Sequence, residues 1–415
     1  MLNIKSKENC RLCNGGNLKE VFRLTDSPLA NAFVTRDEKE KRQEEYPLRL
    51  NFCRDCSHVQ LSHVVDPEIL YKHYLYVSGT SPVFVKHFQS YVESLCSDYK
   101  LKNDSLVVEF GSNDGTMMKF FKEKGMRVLG IDPAEEITSN ASHNGLETFN
   151  GYFNAITAED IRIKYGQADA IIANNVMAHI DDLDDVMSGV SSLLKANGFF
   201  AFEFSYIVDV IEKHLFDTIY HEHLDYHSVT PLVKFFAKHG FKVISSKRVD
   251  THGGSVRMVV QKNDGNLQDD GSTKVLLSLE KKLDLDNENT LISFANAVEK
   301  IKCKLSTCLK NIKDSGKTLV IFGAPAKATT LMYHFSIKAD DIKYIVDDSP
   351  LKQGLYSPGK HIPIAPSEEL YINRPDIVLI LAWNFATPII NNHKKLIELG
   401  TRFIVPLPKI EFIPE

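Results

Sequence analysis

No stretch of the sequence approaches the roughly 20 consecutive apolar residues of a membrane-spanning helix, so a span is not expected. The first residues, Met1-Leu-Asn-Ile-Lys5, have no apolar signal-peptide core, and the expected location is the cytoplasm. Neither sign of charge dominates: 49 Lys and Arg face 54 Asp and Glu, for a net charge of −5. Without a long basic run, nucleic acid is a poor fit as the main partner. Cysteine is sparse and odd in number, seven in all, which argues against a disulfide framework. The apolar share of 43% and charged share of 25% are those of a soluble globular protein. At 415 residues, two or three domains are expected rather than one core.

Four of the cysteines form two C-x-x-C knuckles, Cys10-Arg-Leu-Cys13 and Cys53-Arg-Asp-Cys56. Four thiolates so spaced suit a tetrahedral Zn²⁺ with no position left for water, hence a structural site. The surrounding segment is short and polar, and the metal would supply folding energy that its small core lacks. His58 or His63 is an alternative ligand, and four free thiols are the plain alternative.

The middle of the chain centres on Leu106-Val-Val-Glu-Phe-Gly-Ser-Asn-Asp-Gly115. It reads as a buried strand, 106–110, then a glycine-bracketed turn, then a helix over 115–124 with Met117, Met118, Phe120 and Phe121 on its apolar face. Gly111 and Gly115 carry no Cβ and would let the backbone approach a ligand. A second strand, 127–131, ends at Asp132, where α/β nucleotide sites place an acid against ribose hydroxyls. The spelling is not G-x-G-x-x-G, which favours S-adenosylmethionine over a dinucleotide; an ordinary βα turn is the plain alternative. Upstream, Tyr71 to Ser81 is dense in hydroxyls. Ser78, Thr80 and Ser81 are candidate caps for a helix over 83–99, or part of a loop folding over the methyl donor with Tyr76 pointing inward.

A helix near 134–143, a strand at 169–173, a helix over 182–195 and a strand at 199–204 complete the alternation of a doubly wound parallel sheet. Asn174, Asn175 and His179 follow one strand end, where ligands lie in such sheets. Past the next comes Tyr220-His-Glu-His-Leu-Asp-Tyr-His227, the densest titratable cluster. Read as extended chain, positions 220, 222 and 224 face one way and 221, 223 and 225 the other. An acid–base constellation fits better than a metal site, since H-E-x-x-H spacing is missing; a solvated polar loop is the plain alternative. Arg257, entering a strand over 256–260, is a candidate for an anionic substrate. A helical pattern over 274–313 leads to a second strand–glycine–helix unit, 318–322 with Gly323-Ala-Pro-Ala-Lys327. Strand 344–346 ends at Asp347, and strand 377–381 ends at Ala382-Trp383-Asn384, suggesting a smaller Rossmann-type domain. Lys327 lies near a helix N-terminus, where a phosphate could bind, and Trp383 offers a stacking face or plain core filling.

These motifs, in this order, resemble the sugar C-methyltransferases that act on nucleotide-linked 4-keto-6-deoxy sugars, typically at C3. The resemblance rests on the paired knuckles, Tyr74-Leu-Tyr76-Val-Ser-Gly-Thr-Ser81, Glu109–Gly115, Asn174–His179, Tyr220–His223, Gly323–Lys327 and Ala382–Asn384. It implies an α/β chain with three parts: a zinc-binding module (1–75), a class I methyltransferase core with a doubly wound sheet (76–300) and a Rossmann-like domain (301–415). S-adenosylmethionine would meet Glu109, Gly111, Ser112, Asn113, Asp114, Gly115, Asp132, Asn174, Thr80 and Ser81. A dTDP-, GDP- or CDP-linked sugar would lie between the core and C-terminal domains, near Tyr74, Lys327, Arg257, Trp383 and Asn384. Cys10, Cys13, Cys53 and Cys56 would hold a structural zinc. A carbon nucleophile needs a base at a C–H beside a carbonyl and donors for the resulting enolate. His223 is the expected base, Glu222 positions it or the substrate, Tyr220 with His179 are the enolate donors, and Tyr76 completes the pocket. A monomer or weak oligomer is expected. The competing readings are an O- or N-methyltransferase on a sugar, a zinc-ribbon RNA methyltransferase, and a binding module without activity.

Overall fold

Every residue of strand Leu106–Phe110 is buried, as an unbroken apolar run with one acid requires of a central parallel strand. In the computed structural model, which describes residues 4–71, 77–251 and 253–414, this strand lies inside a seven-stranded sheet. Across the sheet run Phe241–Val249, Ser255–Lys262, Leu194–Ser205, Ala168–Asn174, Leu106–Phe110, Arg127–Asp132 and Thr148–Asn150. Only Ser255–Lys262 runs against its neighbours. Chain order reverses between Leu106–Phe110 and Ala168–Asn174, and ligands in such sheets bind at the carboxyl ends beside that switch. Among the described residues no helix is long and apolar enough to cross a membrane.

The C-terminal sheet runs Ile364–Ala365, Ile345–Val346, Leu319–Phe322, Ile377–Ile380, Arg402–Val405 and Glu411–Ile413, in the 3-2-1-4-5-6 order of a Rossmann domain with its last strand antiparallel. The N-terminal sheet is antiparallel: Leu18–Arg23, Arg49–Cys53, Val59–Leu61 and, at its edge, Asp225–Tyr226 from the middle of the chain. That small sheet has too few apolar residues for a core of its own. Phe22, Leu50 and Leu61 instead join Phe216, Ile219 and Leu224 of the middle region and Leu331 and Phe335 of the C-terminal domain in one apolar cluster.

Several elements differ from the expectations. The helical pattern over 274–313 is two helices, Ser272–Lys282 and Glu288–Asp314. Asp284 takes a left-handed φ of 56° between them, and the Asn287 side chain caps the second by accepting from the Asn289 amide. Helix Ala155–Tyr165 has no sequence counterpart above, since Ile156 and Ile163 face solvent and blur its apolar stripe. Ser81 occupies the N-cap position of helix Pro82–Asp98 but makes no side-chain cap bond. Segment 220–223 is a turn, closed by the His223 amide donating to the Tyr220 carbonyl, so the alternation of faces does not hold there. Tyr74, Tyr76 and the side chain of Thr80 lie outside the described residues.

Candidate active site

The two knuckles fold alike. In each, the residue after the second cysteine, Asn14 or Ser57, turns back at positive φ and donates its amide to the carbonyl of the first cysteine, at 2.9 and 2.8 Å. The four sulfurs lie within 4.8 Å of one another, with Cys10–Cys56 at 3.6 Å and Cys13–Cys53 at 3.5 Å. A tetrahedral zinc with Zn–S bonds of about 2.3 Å needs S···S separations of about 3.8 Å, so the set fits. Burial pushes the Cys53 thiol up to about 12, and a divalent cation is what would favour its thiolate. The histidines are used elsewhere: His58 Nε2 lies 2.7 Å from Asp225, and His63 Nδ1 lies 2.7 Å from Ser62.

At the donor loop, Gly111 and Gly115 have φ of 67° and 76°, and Asn113 has φ of 49°. A Cβ on Gly111 would lie 2.8 Å from a Val176 methyl, and one on Gly115 would lie 2.5 Å from a Leu146 methyl. Protein packing therefore demands both glycines, whatever a ligand adds. Asp132 accepts the Asn113 and Ala134 amides, each at 2.9 Å, stitching the loop to the end of the second strand. Asn113 and Asp114 accept the Ser78 and Gly79 amides at 2.9 Å, fastening the turn Ser78–Thr80 over the loop. Asn174 donates 2.7 Å to Met117 Sδ and 3.4 Å to Glu109, whose carboxyl burial raises well above the usual range. Glu109 Oε2, Ser112 Oγ, Asn174 Oδ1 and Asn175 Oδ1 are buried and find no hydrogen-bond partner among the described residues. Orphaned polar atoms gathered at two strand ends are what an absent polar ligand leaves behind, so the loop fits the amino-acid and ribose groups of S-adenosylmethionine.

Val176, which packs on Gly111, leads into the 3₁₀ turn Met177–His179, so the donor loop touches the next cluster directly. His179 and His223 meet edge to face at 5.0 Å, and the Tyr220 ring lies 4.1 Å from that of His223. His223 Nδ1 donates to the Thr218 carbonyl at 2.8 Å, which fixes the tautomer with a lone pair on Nε2. Burial lowers the His223 pKa to about 4, so the ring is neutral at physiological pH. Glu222 is buried, accepts from Asn31 Nδ2 at 2.8 Å, and is raised to about 7 by desolvation. The Tyr71 hydroxyl lies 3.1 Å from His179 Nδ1 and 3.4 Å from the Glu222 carbonyl. Asn31 and Tyr71 were not among the expected site residues. They come from far along the chain, and no local pattern marks them.

The segment just before this cluster belongs to the C-terminal domain's grip. Asp217, fully buried, accepts from Trp383 Nε1 at 2.6 Å and lies 3.8 Å from Lys327 Nζ, which sits 4.3 Å above the indole ring. Thr330 Oγ1 donates to the Ile219 carbonyl at 3.0 Å. Lys327 and Trp383 thus meet each other through a partner, Asp217, that sequence reasoning missed; Asn384 is exposed beside them. Arg257 lies apart from this group. It pairs with buried Glu203 at 2.7 Å, which also meets His87 at 2.8 Å, and it stacks 3.3 Å over Tyr91. An arginine engaged on both its edge and its face has little left for a substrate anion.

Fold and donor loop define a class I methyltransferase core joined to a zinc-binding module and a Rossmann-like domain. Family models match each part: a zinc binding domain at residues 10–71, a methyltransferase domain at 87–246 and a C-methyltransferase C-terminal domain at 250–408. C-methyltransferase NovU of Streptomyces niveus is 32% identical over 406 residues, 98% of this chain and 97% of that protein. Solved structures similar to part of the chain include magnesium protoporphyrin IX methyltransferase of Synechocystis PCC 6803 with bound SAM. It is 16% identical at TM-score 0.33, covering 43% of this chain and 79% of that one. An S-adenosylmethionine-dependent methyltransferase of Clostridium acetobutylicum is 15% identical at TM-score 0.36, covering 44% and 92%. The chain belongs to the C-methyltransferase family, with S-adenosylmethionine as methyl donor and zinc in its N-terminal domain.

Proposed function

We propose that the chain methylates C3 of a nucleotide-linked 4-keto-6-deoxy sugar in branched deoxysugar biosynthesis in the cytoplasm. The observation that carries this reading is His223, held at Nδ1 by Thr218 and open at Nε2 beside Tyr220 and His179. Nε2 takes the proton from C3, and the electron pair moves into a C3–C4 enolate. Tyr220 donates its hydroxyl to the developing oxyanion. His179 joins it when the Tyr71 hydroxyl donates to Nδ1, which leaves Nε2–H as a donor. S-adenosylmethionine, when bound, supplies an electrophilic methyl group that the nucleophilic carbon can take. Glu222, ionised above about pH 7, favours the imidazolium that forms on His223. Tyr76 and Tyr74 are assigned to the sugar side, and Lys327, Trp383 and Asn384 to the nucleotide side. Arg257 is reassigned to holding Glu203.

His223→Asn tests the base. The variant is expected to keep donor affinity while turnover falls at least about a hundredfold. Turnover near that of the unaltered protein would remove His223 from the role.

A further inference from the structure

Between the first pair of zinc-site cysteines stands a residue that a closed metal site has no use for. The Arg11 side chain is fully buried, and it points away from the sulfurs into the middle of the molecule. Its Nη1 donates to the Leu61 carbonyl at 3.0 Å and to the Leu224 carbonyl at 3.3 Å. Its Nε donates to Asp181 Oδ1 at 2.9 Å, and Asp225 Oδ1 lies 3.8 Å from Nη1. Leu224 follows His223 directly, and Asp181 is two residues beyond His179. The two loops are also tied to each other, since the Leu224 amide donates to the Ala178 carbonyl at 2.7 Å. The knuckle's own backbone is held from the other side: the Arg11 amide donates to Gln60 Oε1 at 2.8 Å, and Gln60 pairs across the sheet with Asp225.

One planar guanidinium thus fixes two histidine-bearing loops against a metal-bearing turn. Its rigid fork reaches two carbonyls and a carboxylate at once, which a lysine ammonium on a flexible stem does not reproduce. Arg11 touches none of the reacting groups. We propose that Arg11 is a positioning residue: it couples the knuckle, and so the zinc that orders it, to the relative placement of His179 and His223. Zinc loading then sets turnover more than donor affinity, because the donor loop hangs from the sheet and not from the knuckle. The turnover arm rests on the base assigned to His223; the positional arm stands without it.

The test compares Arg11→Gln, Arg11→Lys and Asp181→Asn with the unaltered zinc-loaded chain. For each, zinc content, S-adenosylmethionine affinity by calorimetry, turnover, and amide hydrogen exchange of segments 175–182 and 219–227 are measured. Arg11→Gln is expected to keep its zinc and to hold donor affinity within about twofold, with exchange in both segments rising at least about tenfold. Turnover should fall at least about tenfold, and Arg11→Lys should recover part of it. Asp181→Asn strips the charge from a part-buried leg of the clamp while keeping an acceptor oxygen, and should loosen the same two segments to a smaller extent. It decides the matter if Arg11→Gln fails to fold. Unchanged exchange in both segments of the folded variants overturns the proposal. So does a parallel fall in zinc content, donor affinity and turnover, which would make Arg11 a plain folding residue. Loosened segments in a chain whose unaltered form methylates no nucleotide sugar would support the coupling and contradict the substrate reading instead.

Discussion

His223 and Glu222 are neighbours in one turn, and burial drives their proton affinities in opposite directions. Desolvation penalises whichever form is charged, so the imidazole falls to about 4 and the carboxyl rises to about 7. The pair therefore offers a neutral imidazole over the whole physiological range beside a carboxyl that changes charge in the middle of it. On the proposed roles, in which ionised Glu222 favours a protonated His223, turnover is expected to rise with pH through about 7. Glu222→Gln should give a lower rate with that inflection gone, and Asn31→Ala should move the inflection upward, since the Asn31 amide is what stabilises the carboxylate. A pH–rate profile of the three proteins checks this; an inflection near 7 that survives in Glu222→Gln assigns it elsewhere.

At the scale of elements, the glycine loop after strand Leu106–Phe110 shows how one backbone conformation links two candidate sites. Gly111 takes φ of 67° because Ile131 accepts its amide and Val176 fills the space where a Cβ would stand. Val176 then begins the short turn that carries His179. Gly111→Ala should lose about 1–2 kcal/mol from the left-handed backbone alone, with the displaced Val176 adding to it. Thermal unfolding together with donor calorimetry reads both effects. Full donor affinity and an unchanged melting temperature would contradict the packing argument. This region was legible in the sequence because its demands are local: an apolar run, glycines at fixed offsets, an acid one strand later. The titratable density of 220–223 was legible but its geometry was not, since nothing in its spelling distinguishes an extended segment from one closed between Tyr220 and His223.

Over the whole molecule, segment 216–225 is where the three parts meet. The C-terminal domain holds it through Trp383, Lys327 and Thr330. The zinc-binding module holds it through Asn31, Arg11 and the pairing of Asp225–Tyr226 with Val59–Leu61. The core holds it through Ala178. The partners that were not legible, Asp217, Asn31, Tyr71 and Arg11, all act across long stretches of chain, where periodicity and spacing carry no signal. The zinc knuckles and both strand–glycine–helix units carry their own signal, because metal geometry and tight turns restrict residue type at close range.

Incubation in D₂O with S-adenosylmethionine and a panel of dTDP-, GDP- and CDP-linked 4-keto-6-deoxy sugars, read by mass spectrometry, tests the central claim most directly. The account predicts a gain of one methyl group on at least one sugar ketone, and deuterium exchange at C3 of that sugar when the methyl donor is withheld. Methylation of a sugar already reduced at C4, with no exchange on any ketone, would contradict the enolate route and point to transfer onto oxygen or nitrogen.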